Sequence, residues 1–279
     1  MKILTLNTHS LIENNYHQKL ESFVNAIKAE KPEIIALQEV NQTLSEPFCT
    51  DLPYGYFPCR SDIIIRADNH AFRTADLLKK SGEEYFWTWH PIKKGYGKYE
   101  EGLSLLSRSP IIETKIIPIS SRDDYENWKT RKLLGIRTEK LSDEWFFSVH
   151  YGWWNDSEEP FEKQWHKTEK AVSEYETVWL MGDFNNPAEV RNEGYDLIKG
   201  SYWHDSFILA EKRDGDITVG GEIDGWRDEK GNKDGMRIDQ IWCSKKTVVT
   251  SYRVIFDGKS YPVVSDHYGV IINYERSIV

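Results

Sequence analysis

The stretch VWLMGDFNNPAE, residues 178–189, contains the pattern on which the fold assignment depends. Its leading apolar residues predict a buried strand, and an acid with two amides follows almost directly. Side chains two residues apart on an extended backbone point the same way, which places Asp183 and Asn185 on one face. Gly182 permits a close backbone approach, and Pro187 ends the strand. An ordinary turn uses the same residue types, so this stretch alone is compatible with a turn or with a site.

The composition limits the class of protein. The chain has 279 residues, of which 39% are hydrophobic and 29% are charged, and this balance suits one large α/β domain or two small ones. No linker, low-complexity run or internal repeat interrupts it, so we expect a single domain over residues 1–279. The formal net charge of −9 disfavours a nucleic-acid partner, although an acidic balance does not exclude a local basic groove.

The sequence also bears on the cellular compartment. No apolar run is long enough to cross a bilayer, and the start MKILTLNTHS has too short an apolar part for a signal peptide and is better explained as a strand. Cys49, Cys59 and Cys243 form no CxxC pair, which disfavours a disulfide framework and a thiolate zinc site. We therefore expect a cytoplasmic protein without membrane association, and no protein partner is implied.

Short apolar runs dominate the chain, and helical spacings interrupt them mainly in its first and middle thirds. Strands are predicted within residues 2–7, 33–40, 101–119, 144–152, 178–185, 236–244, 248–256 and 265–275. Helices are predicted within residues 14–33, 69–85 and 161–176. The pattern indicates two packed sheets with helices outside them rather than a purely parallel sheet.

Groups able to bind a metal ion or a phosphate recur at or near the ends of these strands. They are Asn7, Glu39, His150, Asp183 with Asn185, Asp239, and Asp266 with His267. One such ending is ordinary, whereas a set on separate strands predicts that the strand ends converge on one cleft.

The residue types in this set limit the chemistry. Carboxylate and amide oxygens without thiolates suit Mg²⁺, or Mn²⁺ in its place. Such ions neutralise phosphoryl oxygens and help to activate a water molecule. Two histidines suit a proton shuttle and a donor to the phosphate. The expected reaction is the metal-assisted hydrolysis of a phosphate ester.

The motifs that carry these groups follow one another in a recognisable order. They are LTLNTH, ALQEV, EGLSLLSR, SVHYGWW, GDFNNP, RIDQIW and SDHYGV. This order resembles that of the endonuclease/exonuclease/phosphatase superfamily. The resemblance implies an α/β fold, a four-layer αββα sandwich of two packed mixed β-sheets flanked by helices, and a divalent-metal phosphoesterase. The superfamily includes nucleases, sphingomyelinases and sugar-phosphate phosphatases, so the fold leaves the substrate open.

The resemblance implies a role for each residue that matches a motif. Glu39 would bind the metal ion, with Asn7 beside it, and Asp266 is the acid that precedes the last histidine. Asp183 and Asn185 would position the attacking water and the phosphate.

The remaining matches concern the histidines and one cation. His267 would contact the phosphate or relay a proton, and His150 would be the second histidine of the site. Asp239 would orient His267, and Glu101 would orient His150, because an acid fixes the tautomer of its imidazole. Arg131 would clamp the phosphate, with a solvated surface charge as the alternative.

Segments between the motifs are similar to those of the bacterial maltose 6'-phosphate phosphatases. These segments are YFWTWHPIKKGYGKYEEG, VHYGWWND, GDFNNPAEVRNEGYDLI, EIDGWRD and VIFDGKSYPVVSDHYG. Their aromatic residues suit stacking on pyranose rings, and their polar residues suit contacts with hydroxyls or phosphate. The aromatic candidates are Tyr96, Tyr99, Trp153, Trp154 and Trp226, and the polar ones are Lys93, Lys94 and Asp224. Packing within loops is the alternative for each.

The function expected from the sequence is a Mg²⁺-dependent phosphomonoesterase that converts maltose 6'-phosphate to maltose and phosphate. The alternative is a DNA-directed endonuclease or exonuclease, or another phosphodiesterase of the same superfamily. A non-catalytic binding module would require the loss of metal ligands, and every expected ligand is present. A sphingomyelinase would need an exposed apolar hairpin, and none is evident. The number of metal ions and the division of labour between the histidines are left open.

Overall fold

The computed structural model describes residues 1–221, 223, 226 and 235–276. Asp224, one of the predicted polar contacts, lies outside the described residues. The described chain forms a seven-stranded and a six-stranded β-sheet, both with parallel and antiparallel neighbours. None of the helices in this part of the chain is both long enough and apolar enough to cross a membrane.

The elements alternate between strands and short helices. The strands are β1 (Lys2–Asn7), β2 (Ile34–Thr43), β3 (Phe86–Gly95), β4 (Tyr99–Ser107), β5 (Ile111–Pro118), β6 (Lys132–Thr138), β7 (Glu144–His150), β8 (Thr177–Asp183), β9 (His204–Asp205), β10 (Arg213–Asp214), β11 (Asp239–Cys243), β12 (Val248–Ile255) and β13 (Gly269–Glu275). The helices are α1 (Tyr16–Glu30), α2 (His70–Lys80), α3 (Phe161–Val172), α4 (Gly194–Lys199) and α5 (Ser206–Leu209).

The two sheets have separate strand orders. The first sheet runs β10-β12-β13-β1-β2-β4-β3, and the second runs β5-β6-β7-β8-β11-β9. At the centre of the first sheet β1 is parallel to β2, and in the second sheet β7 is parallel to β8. The antiparallel strands β13 and β11 lie beside these parallel pairs.

Alternate side chains of β1 show how the layers form, since neighbouring residues of a strand face opposite sides of the sheet. Ile3 belongs to a buried cluster that joins the two sheets. Leu4 and Leu6 belong to a second cluster, which contains the apolar residues of α1 and α2. A third cluster joins the outer face of the second sheet to α3 and α4. The layers are therefore helix, sheet, sheet and helix, and the predicted αββα sandwich is confirmed.

The strand register brings the polar strand ends to one edge of the sandwich. Parallel neighbours end at the same edge, so His150 at the end of β7 lies opposite Asp183 at the end of β8. An antiparallel neighbour begins there, so Asp239, the first residue of β11, also lies opposite Asp183. In the first sheet, the end of β1 at Asn7 lies opposite Gln38 of β2.

Gly182 of β8 lies opposite Val149 of β7, and replacement of Gly182 tests the packing between these two strands. It has φ of 152°, and a Cβ atom there would overlap the carbonyl oxygen of Val149. We expect Gly182→Ala to lower the free energy of unfolding by about 1–3 kcal/mol, as overpacking of a filled core does. Urea denaturation measures this loss.

Gly221→Ala is the matched control, because a Cβ atom at Gly221 meets nothing within 4 Å. Equal stability of the Gly182 and Gly221 variants would contradict the packing described for β7 and β8.

Candidate active site

A cavity of about 350 Å³ opens at the edge where the strand ends meet. It contains most of the residues that the sequence predicted for a site. Its lining residues are His9, Glu39, Lys93, Lys94, Gly95, Tyr96, Glu101, Trp128, Arg131, His150, Trp153, Asp183, Asn185, Ile223, Asp266 and His267. The structure thus brings together side chains from both sheets and from several loops.

The amide of Asn7 joins the two sheets through two residues that line this cavity, although Asn7 itself is not one of the lining residues. Its Nδ2 atom donates to Oε1 of Glu39 at 2.9 Å and to Oδ2 of Asp183 at 3.1 Å. Its Oδ1 atom accepts from the backbone N–H of His9 at 3.3 Å. In this arrangement Asn7 holds two carboxylates in place and turns its nitrogen toward them, whereas the sequence predicted an oxygen ligand beside Glu39.

Glu39 owes its position to an irregularity in β2. The register between β2 and β4 shifts between Leu37 and Val40, and Glu39 has φ of 51°, in the left-handed region. Strained residues of this kind are found where the surrounding structure fixes a functional side chain. Burial, and then the charge of Glu101, raises the pKa of the Glu39 carboxyl.

The chemistry of these donors fits a hard divalent cation. Glu39 and Asp266 both line the cavity, and Asp183 faces it from the second sheet. Burial and then the negative charges of Glu101 and Asp266 raise the pKa of Glu39, and a cation beside these carboxylates would offset that repulsion. An all-oxygen donor set matches Mg²⁺ or Mn²⁺. Glu39 and Asp266 are therefore the residues that would hold the metal ion, and Asp183 lies beside them in the same cavity.

His267 is held by an acid on one side and faces another. Oδ2 of Asp239 lies 2.9 Å from Nδ1 of His267, the contact that the sequence predicted, and Nε2 lies 3.9 Å from Oδ2 of Asp183. Burial lowers the pKa of His267, but the charge and hydrogen bond of Asp239, together with Asp183, outweigh it and raise the pKa. His267 is therefore protonated at neutral pH, while burial raises the pKa of Asp183.

His150 has the opposite electrostatic environment. Its Nε2 atom lies 3.6 Å from Oδ2 of Asp183. Burial, and then the positive charges of Arg131 and Lys93, lower the pKa of His150 well below its ordinary value. The site thus contains one charged and one neutral imidazole, an arrangement that separates the roles of two titratable groups.

Glu101 has a different partner from the predicted one. Its Oε1 atom lies 3.1 Å from Nζ of Lys93, and both side chains are 9% exposed. Within the described chain, an ion pair with Lys93 thus takes the place of the hydrogen bond to His150 that the sequence predicted. Because β3 and β4 place Lys93 directly opposite Glu101, the pairing follows from strand register.

Arg131 is a buried cation and not a surface charge. It is 3% exposed, and its Nη1 atom donates to the carbonyl oxygens of Trp128 at 2.9 Å and Thr130 at 3.2 Å. Its buried Nε atom has no hydrogen-bond partner among the described residues. A buried guanidinium with a spare donor beside buried acids suits an anionic ligand.

Only two of the five predicted stacking residues line the cavity, namely Tyr96 and Trp153. Tyr99 is 6% exposed and donates from its hydroxyl to the carbonyl oxygen of Leu11. Trp154 packs against the core cluster between the second sheet and α3. Tyr99 is thus buried and Trp154 half-buried, and neither ring lies on the cavity wall, so their stacking on a sugar stays a prediction.

Trp226 also departs from its predicted role, since it positions another site residue instead of lining the cavity. Its indole Nε1 donates to Oδ1 of Asn185 at 3.1 Å. The Nδ2 atom of Asn185 donates to the carbonyl oxygen of Tyr151 at 2.9 Å, and its backbone N–H donates to Oδ1 of Asp183 at 2.8 Å. These contacts hold Asn185 at φ of 49°, with its amide fixed beside Asp183.

His9 lines the cavity, although the sequence analysis assigned it no role. Its Nδ1 atom lies 2.7 Å from Oε1 of Glu13 and 3.8 Å from Oδ1 of Asp266. Ligand atoms of these three residues lie within 4.8 Å of one another, but Glu13 is already paired with Lys19. We interpret the group as an ion-pair network that holds Asp266. The closeness of His9 to Asn7 in sequence was the available signal.

The contact between Asp239 and His267 generates a prediction for turnover. Asp239→Asn removes the charge that keeps His267 protonated, and in other acid–histidine pairs such a change costs about 10⁴-fold in rate. We expect phosphate release from p-nitrophenyl phosphate, measured with Mg²⁺ present, to fall by about 10³–10⁴-fold. The thermal melting curve should show a folded protein.

Glu144→Gln is the matched control for this variant. Glu144 is a buried carboxylate with hydrogen bonds from Trp179 and Tyr274, and it begins β7 at the end remote from His150. Near-normal turnover in Asp239→Asn, or an equal loss in Glu144→Gln, would contradict the assigned role.

The chain has relatives among proteins of known structure. No curated protein matches it. Its structure is similar to that of an endonuclease/exonuclease/phosphatase family protein from Leptotrichia buccalis, at 29% identity and a TM-score of 0.87, over 99% of this chain and 100% of that chain.

Two more distant structures share the fold. A mannosyl-6-phosphatase from Bacteroides thetaiotaomicron is 15% identical, with a TM-score of 0.66 over 99% of this chain and 100% of that one. A 3' phosphatase from Neisseria, bound to a product DNA hairpin, is 18% identical, with a TM-score of 0.60 over 99% and 100%. The sequence itself matches the Endonuclease/Exonuclease/phosphatase family over residues 4–267, and the chain therefore belongs to that family, whose members are hydrolases that include phosphatases.

Proposed function

We propose that the protein is a divalent-metal-dependent phosphomonoesterase that hydrolyses a phosphorylated disaccharide, namely maltose 6'-phosphate, to maltose and phosphate. The observation that supports this most directly is the composition of the cavity. Buried cationic groups of Lys93, Arg131 and His267 line the same space as the buried carboxylate of Asp183 and the half-buried carboxylate of Glu39. Cations suit the phosphate dianion, and the carboxylates suit a metal ion and a water molecule.

The proposed reaction assigns the phosphate to the cationic side of the cavity. Arg131, which lines the cavity, and His267 offer positive charge to the phosphoryl oxygens as negative charge develops on them. Neutral His150 offers an N–H donor without adding charge. A divalent ion held by Glu39 and Asp266 supplies further charge neutralisation when it is bound.

The attacking water is assigned to Asp183. Hydrogen bonds from Asn7 and from the backbone of Asn185 hold its carboxylate in a fixed orientation. Burial raises the pKa of Asp183, which makes it a better proton acceptor than an exposed aspartate. Water attacks the phosphorus atom as its proton passes to Asp183. The departing sugar oxygen takes a proton from solvent at the open mouth of the cavity.

Charges around the mouth favour a small phosphate ester over a DNA backbone. Lys94 is paired with Glu126, Lys129 with Asp156, and Lys132 with Asp123. DNA binding depends on lysines and arginines that are free to replace the counterions of successive phosphates, and paired lysines contribute less. The mannosyl-6-phosphatase with this fold supports the choice of a sugar phosphate, while the DNA-bound 3' phosphatase keeps a nuclease or DNA phosphatase as the alternative.

A substrate panel with and without metal tests the proposal. The panel contains maltose 6'-phosphate, trehalose 6-phosphate, glucose 6-phosphate and plasmid DNA, each assayed with Mg²⁺, with Mn²⁺ and with excess EDTA. We expect phosphate release from the maltose ester with the highest kcat/KM, restored by either metal and abolished by the chelator. Nicking of the plasmid without hydrolysis of any sugar phosphate would overturn the proposed substrate but not the proposed metal site. Full activity in EDTA would overturn the metal dependence.

A further inference from the structure

Two indole rings on separate loops form a wall at the mouth of the cavity. Trp128 lies in the segment between β5 and β6, and Trp153 follows the end of β7. Their ring centroids are 5.7 Å apart with an angle of 59° between the planes, and both rings line the cavity. Trp128 is 54% exposed, although a tryptophan normally buries most of its surface.

The exposed ring of Trp128 stands on a fixed backbone. Its carbonyl oxygen accepts from Nη1 of Arg131 at 2.9 Å. The next backbone N–H, that of Lys129, donates to Oδ1 of Asn127 at 2.9 Å. The Nζ atom of Lys129 then lies 2.9 Å from Oδ2 of Asp156, on the loop that carries Trp153. The ion pair ties the two loops together, so the wall is organised before a ligand binds.

Exposure increases from the floor of the cavity to this wall. The side chain of Asp183 is 2% exposed and Arg131 is 3% exposed. The guanidinium carbon of Arg131 lies 6.0 Å from the ring centroid of Trp153, and Trp153 in turn contacts the exposed Trp128. A ligand whose phosphate reaches the carboxylates and Arg131 therefore places its more distant parts against the two indoles.

The second side of the mouth also anchors the segment that carries Trp128. The backbone N–H of Lys94, at the end of β3, donates to the carbonyl oxygen of Tyr125 at 2.8 Å. The Nζ atom of Lys94 lies 3.2 Å from Oε2 of Glu126. The segment is thus attached to the β3–β4 hairpin as well as to the loop of Trp153. An exposed indole on such a support suits a flat apolar ligand face, and the C–H face of a pyranose is one.

We propose that Trp128 and Trp153 bind the sugar ring that does not carry the reacting phosphate, and that Trp128 sets the preference for a disaccharide phosphate over a monosaccharide phosphate. This inference rests on the proposed sugar-phosphatase function and adds to it a binding site for the second ring. The first ring lies beside Arg131, and the second ring stacks on the indoles at the mouth. A monosaccharide phosphate reaches the floor of the cavity but leaves this wall uncovered.

The ratio of kcat/KM for maltose 6'-phosphate to that for glucose 6-phosphate measures the preference. In Trp128→Ala we expect this ratio to fall by about 10- to 30-fold, the loss that accompanies truncation of an anchoring tryptophan, mainly through KM of the disaccharide ester. Trp128→Phe keeps a flat ring and should restore most of the ratio. Tyr202→Ala, which removes a 48% exposed aromatic ring outside the cavity, should leave the ratio unchanged.

The outcomes separate this inference from the function on which it rests. Equal losses with both substrates in Trp128→Ala, or an unchanged ratio, would overturn the second-ring site while the phosphatase activity stands. If the wild-type protein hydrolyses neither ester, the proposed function fails. Saturation-transfer NMR with unphosphorylated maltose then tests whether Trp128 and Trp153 bind a sugar ring. A saturation-transfer signal of maltose that is present with the wild type and lost with Trp128→Ala supports the second-ring site. The absence of this signal with the wild type overturns it.

Discussion

One side-chain amide, that of Asn7, lies between carboxylates of two different sheets, and the site is arranged around this contact. Glu39 comes from the first sheet and Asp183 from the second, and both accept a hydrogen bond from the same nitrogen. The contact forms because β1 is central in its sheet and ends at the edge where β8 also ends. It brings two acids into an environment where burial raises the pKa of each.

The negative charges of Glu39 and Asp183 are accompanied by positive charges in the same cavity. The cavity compensates with positive groups, namely Lys93 beside Glu101, Arg131, and the imidazolium of His267. Burial, and then the same positive charges, lower the pKa of His150 and keep it neutral. One electrostatic arrangement therefore explains why two histidines near one aspartate differ in charge. It also explains why the site has oxygen donors suited to a divalent ion.

The sequence predicted the layers and the strand ends well because both follow from local pattern. Alternating and continuous apolar runs identified β1, β2, β7 and β8, and Glu39, His150 and Asp183 from three of these strands line one cavity, while Asn7 of β1 bonds to two of its lining residues. The strands β3 and β6 were not predicted, since β3 contains Pro91 and several polar residues and β6 follows directly on a charged run. The single domain over residues 1–279 stays a prediction.

The sequence predicted the contacts of individual side chains less well than it predicted the strands on which they lie. Glu101 pairs with Lys93 through the register of β3 and β4, a strand pair that the sequence did not predict. Tyr99 is buried and Trp154 packs half-buried against the core, because loop composition does not show which face of an aromatic residue is covered. Trp128 carried no motif at all, and only the tertiary structure places it beside Trp153.

A divalent ion held by Glu39 and Asp266 at this edge of the sandwich is the feature on which the proposed chemistry depends. Titration of Mn²⁺ followed by electron paramagnetic resonance measures this without any substrate. We expect the wild type to bind Mn²⁺ and Glu39→Gln to lose most of that binding. Glu100→Gln, which alters an acid paired with Arg66 and Gln42 instead of facing the cavity, should keep it. Equal Mn²⁺ binding by wild type and Glu39→Gln, or no binding by the wild type, would contradict the account.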